Sequence, residues 1–500
     1  MTVARRALAA ATVRRRRALT TVAVAALGRR RRALAAAAIA ALAHPSAAHA
    51  HGLVAEEDVP IPFWLLAVAS VLVLGVSFAL FARAWTSPRF ERDRWRPLRA
   101  SGAVVNRVTE ALAGAAGVFL LAVTIWSGFG GTDQVGFNFA VTFVFVTVWL
   151  GMTALSVVCG DVFRAFNPWR ALARAGGWAL RATTGRTIAE PVPYPERAGR
   201  WPAVAALIAF VWLELSYGVR GLPDEGLEIP GVAPSTVALA AVFYSLYTFL
   251  GMAVFGVETW LRRGEAFSVY FGMFASLAPL EVRDGALVRR PWLSGSTRWA
   301  AGVPGSAALV LATIALTVFD DARDLLVSRY WIDVWTWLTD AGLDSLTARR
   351  LTNTLFMSLV LAVVAGAYGI AVAAMQRLAF AHAFVPIALA YLVAHYFSFF
   401  VQQEQAQFTY LISDPLGRGW DLFGTAAHRI DFAVLGDAVI WCVQVGALVI
   451  GHALALALAH DRALVVYRDP GEAARSQLAM LALTVAFTLL ALALISDLAV

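Results

Sequence analysis

Apolar runs of about 20 residues, the length an α-helix needs to cross the hydrocarbon core of a bilayer, recur along the whole of this 500-residue chain. A segment in lipid must satisfy its own backbone hydrogen bonds, so such runs can only become membrane helices. The spans read as 62–83, 108–127, 137–159, 202–219, 235–256, 302–319, 351–374, 379–401, 434–457 and 477–497. Composition agrees, with 60% hydrophobic residues, 15% charged residues and a mean hydropathy of +0.68. The expected fold class is all-α, a polytopic transmembrane helix bundle of about ten spans in a multi-pass plasma-membrane protein.

The arginines orient the spans. Segment 84–107 carries Arg89, Arg92, Arg94, Arg96, Arg99 and Arg107, and segment 160–200 carries Arg164, Arg170, Arg174 and Arg181 among others. The positive-inside rule puts both in the cytoplasm, together with 257–301 and 458–476, and leaves 221–234, 320–350 and 402–433 outside. Arginines flank the apolar piece 267–280 on both sides, so it is expected to be re-entrant or surface-lying rather than spanning. Asn167-Pro168 reads as a helix cap followed by a first-turn proline. The helix it starts places Arg170, Arg174 and Arg181 on one face, the pattern of an interfacial helix with its arginines toward lipid headgroups. Residues 1–50 read as a cleavable signal segment, in which arginine clusters precede the short apolar run Ala33–Ala43 and the small-x-small triplet Ala48-His49-Ala50. The mature chain, 51–500, is then one transmembrane domain with both termini outside.

The formal net charge of +8 resides in these loop arginines. Zinc-finger spacings, dinucleotide glycine fingerprints and aromatic-interleaved basic patches are absent, so nucleic acid is not an expected partner. The two cysteines, Cys159 and Cys442, lie in apolar segments and are too few for a disulfide framework or a thiolate metal site. The expected partners are the bilayer and an apolar small molecule or a transported solute; the oligomeric state stays open.

Ionisable groups inside a membrane cost roughly 2.5–3.5 kcal/mol each on insertion scales, so each calls for a reason. In the eighth span Tyr391, His395, Ser398, Gln402 and Gln405 follow one another at spacings of four, three, four and three, which places them on one helical face. The fourth span carries Glu214 and Tyr217, and the ninth carries Asp437, Trp441, Gln444 and His452. By depth, Glu214, His395, Gln402 and Asp437 fall in the outer half. The candidate site is therefore outward-facing, with His395, Glu214 and Asp437 as catalytic groups and Tyr391, Ser398, Gln402, Tyr217 and Gln444 lining the cavity. The other reading makes the same groups interhelical hydrogen bonds. A cofactor is not specified; a divalent metal would have His395 as one ligand and His51 as another, since His51 begins the mature chain and offers an α-amine beside its imidazole. The small-residue stripe Ala447, Gly451, Ala455 and Ala459 suits close helix packing. Signatures of serine hydrolases, zincins and P-loop enzymes are absent.

Several blocks carry a resemblance: HGLVAEEDVPIPFWL (51–65), CGDVFRAFNPWRAL (159–172), VPIALAYLVAHYFSFFVQQEQ with LISDPLGRGWDLFGTA, and AVIWCVQVGALVIGHALALALAHDRA (438–463). In these the chain resembles a family of actinobacterial polytopic membrane proteins known as fenitrothion hydrolases. The resemblance implies a membrane enzyme that hydrolyses organophosphorus triesters, and it brings no assigned catalytic residues. The chain lacks the histidine cluster of soluble phosphotriesterases. Two further readings stand beside it: a transporter or metal-handling permease using the same polar cavity, and a scaffold whose polar groups are packing contacts.

Overall fold

The computed structural model describes residues 62–91, 94–98, 107–185, 190–218, 231–283, 286–326, 330–374, 380–467 and 469–495. Residues 1–50, where a signal segment is expected, and His51, Arg92, Arg99 and most of the acidic loop 221–234 lie outside the described residues. The elements that matter below are α1 (Phe63–Ala84), β1 (Arg96–Pro97), α2 (Arg107–Gly130), α3 (Phe139–Cys159), α4 (Pro168–Thr184) and α5 (Glu196–Tyr217). They continue with α6 (Pro234–Phe255), α7 (Val257–Arg263), α8 (Ala266–Ala275), β2 (Leu280–Arg283), β3 (Ala286–Arg289), α9 (Ser306–Leu326) and α10 (Ile332–Asp340). The last four are α11 (Ser345–Ala374), α12 (Ala381–Leu411), α13 (Asp437–Val466) and α14 (Pro470–Ala493).

The protein is an all-α multi-pass membrane protein. Among the described residues nine helices are long and apolar enough to cross a membrane: α1, α2, α3, α5, α6, α11, α12, α13 and α14. The remaining expected span, 302–319, is α9, which runs on through Asp320 and Asp321 to Leu326. Its apolar residues are buried on every side, with Leu309, Val310, Ile314, Leu316 and Phe319 each at most 2% exposed. A helix sheathed in protein need not be apolar along its whole length, and α9 is not. The helices at the rim bury far less: 17% of the apolar window of α1 and of α2 is covered, against 61% for α12. Leu72, Leu112, Phe119 and Leu250 are exposed, as lipid-facing residues are.

Loops that the arginine count assigns to one side meet one another. Arg96 pairs with Arg289 in the antiparallel sheet, whose order is β1-β3-β2. The backbone N–H of Arg89 donates to Asp461 at 2.6 Å, and Arg462 pairs with Glu91 at 2.8 Å. At the opposite end the N–H of Thr132 donates to the carbonyl of Leu416 at 2.8 Å, and Arg350 donates to the carbonyl of Tyr217 at 3.2 Å.

The apolar piece 267–280 forms α8, whose 10 residues span about 15 Å, half a bilayer core. It is buried, with Tyr270, Phe271, Met273 and Phe274 at most 1% exposed. Its start is fixed by Glu265, whose carboxylate accepts from the N–H groups of Phe267 at 2.9 Å and Ser268 at 2.7 Å and from the Tyr244 hydroxyl. Helix α4 starts as its sequence implies: the Asn167 side chain accepts from the Arg170 N–H at 2.8 Å, with Pro168 in the first turn. It ends at Gly185, whose φ of 67° is the left-handed conformation that glycine adopts freely.

Candidate functional site

The polar stripe of α12 does not line a single surface. Tyr391 donates to the Phe487 carbonyl of α14 at 2.7 Å, Ser398 is buried, Gln402 is half-buried, and Gln405 exchanges two 3.0 Å hydrogen bonds with the backbone of Asp431. His395 is the member with a chemical setting of its own. Its Nε2 lies 3.0 Å from Oδ2 of Asp320, and its Nδ1 lies 3.1 Å from Oδ1 of Asp321. The three side chains are between 6% and 12% exposed. The adjacent Tyr396 donates its hydroxyl to the same Asp320 oxygen at 2.6 Å.

Consecutive residues on a helix point about 100° apart, so Asp320 and Asp321 flank the imidazole rather than crowd one side of it. A neutral imidazole has one N–H and one acceptor nitrogen, whereas an imidazolium donates from both. Between two ionised carboxylates, which only accept, the ring would hold both protons; with one acid protonated, it would donate to one and accept from the other. Both ring nitrogens are in either case engaged by α9, and the number of protons the three groups share bears on how α9 and α12 are joined.

Around the triad lies an aromatic shell. The Trp149 ring sits 5.3 Å from that of Tyr396, and its N–H donates to the Tyr270 hydroxyl of α8 at 2.8 Å. Glu214 bears electrostatically on the Tyr396 hydroxyl. Glu214 and Trp149 both lie in stretches wound as π-helix, Leu213–Tyr217 and Phe143–Gly151. Such wide turns are costly and recur at functional positions.

The other expected members stand elsewhere. Asp437 is exposed at the first residue of α13, and the two carboxylates on His395 come from α9 instead. Tyr217 is half-buried beneath Arg350, whose guanidinium lies 3.9 Å above its ring. Gln444 is fully buried on α13, with neither amide atom bonded to another protein group. His452 is buried and bonds the Leu448 carbonyl at 2.7 Å, while His460 holds the Trp85 carbonyl at 2.9 Å. No group of three or more His, Cys, Asp or Glu among the described residues is placed to hold a metal ion. The residues present therefore do not fit the metal site expected around His395, and His51 lies outside the described residues.

Asp320 and Asp321 are the partners of His395 that the sequence reading missed, because a charged pair after an apolar run reads as the start of a loop. The available signal was Ala322 and Leu325-Leu326, which continue the helix beyond the acids. In comparisons with protein-family models, curated proteins and solved structures, the chain matches none.

Proposed function

We propose that this protein is a proton-coupled permease of the plasma membrane, in which the Asp320–His395–Asp321 triad carries the proton that governs transport. The observation behind this reading is the double clamp on His395, whose two ring nitrogens lie 3.0 and 3.1 Å from two carboxylates of α9. Buried ionisable residues at helix contacts are the usual elements of proton relays. Tyr270 of α8 closes the shell through Trp149, and Glu214 stands in a π-helical turn.

The test is reconstitution of the full chain in liposomes containing a pH-sensitive dye. Proton movement on imposing a pH gradient is expected, with loss in His395→Gln and Asp321→Asn. Unchanged movement in both variants would sink the reading.

A second reading is the organophosphorus triester hydrolase implied by the resemblance to fenitrothion hydrolases. In its favour, two of the blocks that carry the resemblance lie on α12 and α13, which pack together, and the 411–426 block folds back onto the end of α12. There Thr425 donates to the Thr409 carbonyl at 2.8 Å. An apolar triester would reach such a site from the bilayer. Hydrolysis of a chromogenic aryl phosphotriester by the purified protein, retained in His395→Gln, would assign an activity separate from the triad.

A further inference from the structure

We infer that the groove between α2 and α4 is a binding site for one anionic phospholipid, on the side that the arginine distribution assigns to the cytoplasm. The groove encloses about 580 Å³, within the roughly 300–1,000 Å³ typical of small-molecule pockets. Its apolar wall is Ala111, Ala115, Val118 and Phe119 of α2 with Leu172 and Ala175 of α4, and its polar end is Glu110 with Arg164, Arg170 and Arg174. None of these belongs to the triad or its shell.

The floor of the groove is rigid. A Cβ added at Gly117 would stand 1.8 Å from the Phe166 carbonyl oxygen, and one at Gly114 would stand 2.8 Å from the Ala171 Cβ. The two glycines thus let the backbone of α2 press against residues 165–171. The apolar slot lies beside this contact. Leu112 and Phe119 of α2 are 67% and 65% exposed, so the slot is continuous with surface that faces lipid tails.

The polar end is suited to a phosphate. Arg170 is spent within the protein: its side chain is 8% exposed and bonds Glu258 at 3.1 Å and the Arg164 carbonyl at 3.4 Å. Arg164 and Arg174 are different. Their side chains are 51% and 52% exposed, and among the described residues each forms one ion pair, Nη2 of Arg164 to Glu258 at 3.1 Å and Nη1 of Arg174 to Glu110 at 3.0 Å. A guanidinium has five N–H donors in a fork that matches phosphate oxygens. Both arginines therefore have donors to offer beyond these pairs. Partial burial works against charge on Glu258, yet Arg164, Arg170 and Arg174 hold its carboxyl below the ordinary value. The acids facing the site are Glu110, Glu258 and Asp161, whose carboxylate accepts from the Arg164 N–H at 3.2 Å. Basic pockets between membrane helices on the cytoplasmic side are the usual receptors of anionic headgroups.

The experiment is native mass spectrometry of the full chain in detergent with equal phosphatidylglycerol and phosphatidylcholine. Preferential retention of phosphatidylglycerol is expected, falling on the order of five-fold for each arginine removed in Arg164→Gln and Arg174→Gln. Ala115→Leu, an exposed position that leaves every arginine in place, fills the slot and should weaken retention of both lipids. Equal retention of the two lipids by the unaltered protein overturns the inference, as does a preference that survives the double arginine variant, or retention that Ala115→Leu leaves unchanged. Displacement of phosphatidylglycerol by millimolar inorganic phosphate would show a free anion to be the ligand and would overturn it as well.

Discussion

Asp320 and His395 are 75 residues apart in the chain and 3.0 Å apart in space, and the next residue, Asp321, closes on the other ring nitrogen at 3.1 Å. Two central helices are joined there by charge rather than by apolar packing alone. Breaking a buried ion pair by removing one partner costs about 3–5 kcal/mol, because the charge left behind has lost its compensation. His395→Ala is expected to destabilise the protein by that order in denaturant titrations in detergent. Replacing all three groups, Asp320→Asn with Asp321→Asn and His395→Leu, should recover much of the loss. A triple variant no more stable than His395→Ala would argue against the ionised triad.

Gln444 is 0% exposed and bonds no protein group through either amide atom. Burying an unsatisfied amide costs about 1–3 kcal/mol on the evidence of protein mutations. Gln444→Leu should therefore raise the thermal midpoint. If transport falls in the same variant while stability rises, Gln444 is held for function at the expense of stability.

Helices α12 and α13 touch through backbone at Gly451. An added Cβ would lie 2.4 Å from the Ala390 Cβ and 2.8 Å from the Pro386 carbonyl oxygen. Gly451→Ala should cost about 1–3 kcal/mol through overpacking. Ala390→Gly in the same chain should return part of it, since it removes the nearer of the two obstacles. Additive losses in a double-mutant cycle would contradict the contact.

Asp421 organises the loop that follows α12. Hydrogen bonds from the Ala426 N–H and from the Ser413 hydroxyl hold its carboxyl below the ordinary value of 3.8. A carboxyl whose pKa is depressed on folding adds stability above its unfolded value and loses it as pH falls through the folded one. Protection factors in residues 413–426, which divide out the intrinsic pH dependence of amide exchange, should thus be high at neutral pH and fall below about pH 4. In Asp421→Asn the same amides should exchange faster already at neutral pH, with the acid-dependent step gone.

Much of the architecture was legible in the chain. The helix start at Asn167-Pro168 and the close packing at Gly451 follow from local rules, a cap geometry and the absence of a side chain. His395 was legible as a residue that must face protein, since a charged group cannot face lipid cheaply. Its partners were not. Glu214 and Asp437 were chosen by comparing depths, and depth says nothing about azimuth: Asp437 stands exposed at the start of its helix.

The sequence by itself determined that this is a helical multi-pass membrane protein, because the length and apolarity of each run are local properties that the bilayer reads one segment at a time. The tertiary structure alone decided which helix lies at the centre. Only neighbours on every side allow α9 to carry Asp320 and Asp321 beyond its apolar run, and that sheathing depends on residues tens to hundreds of positions away. The chemistry of His395 belongs to this second kind of information. It is set by two carboxylates that hydropathy places in a loop and packing places on either side of the ring.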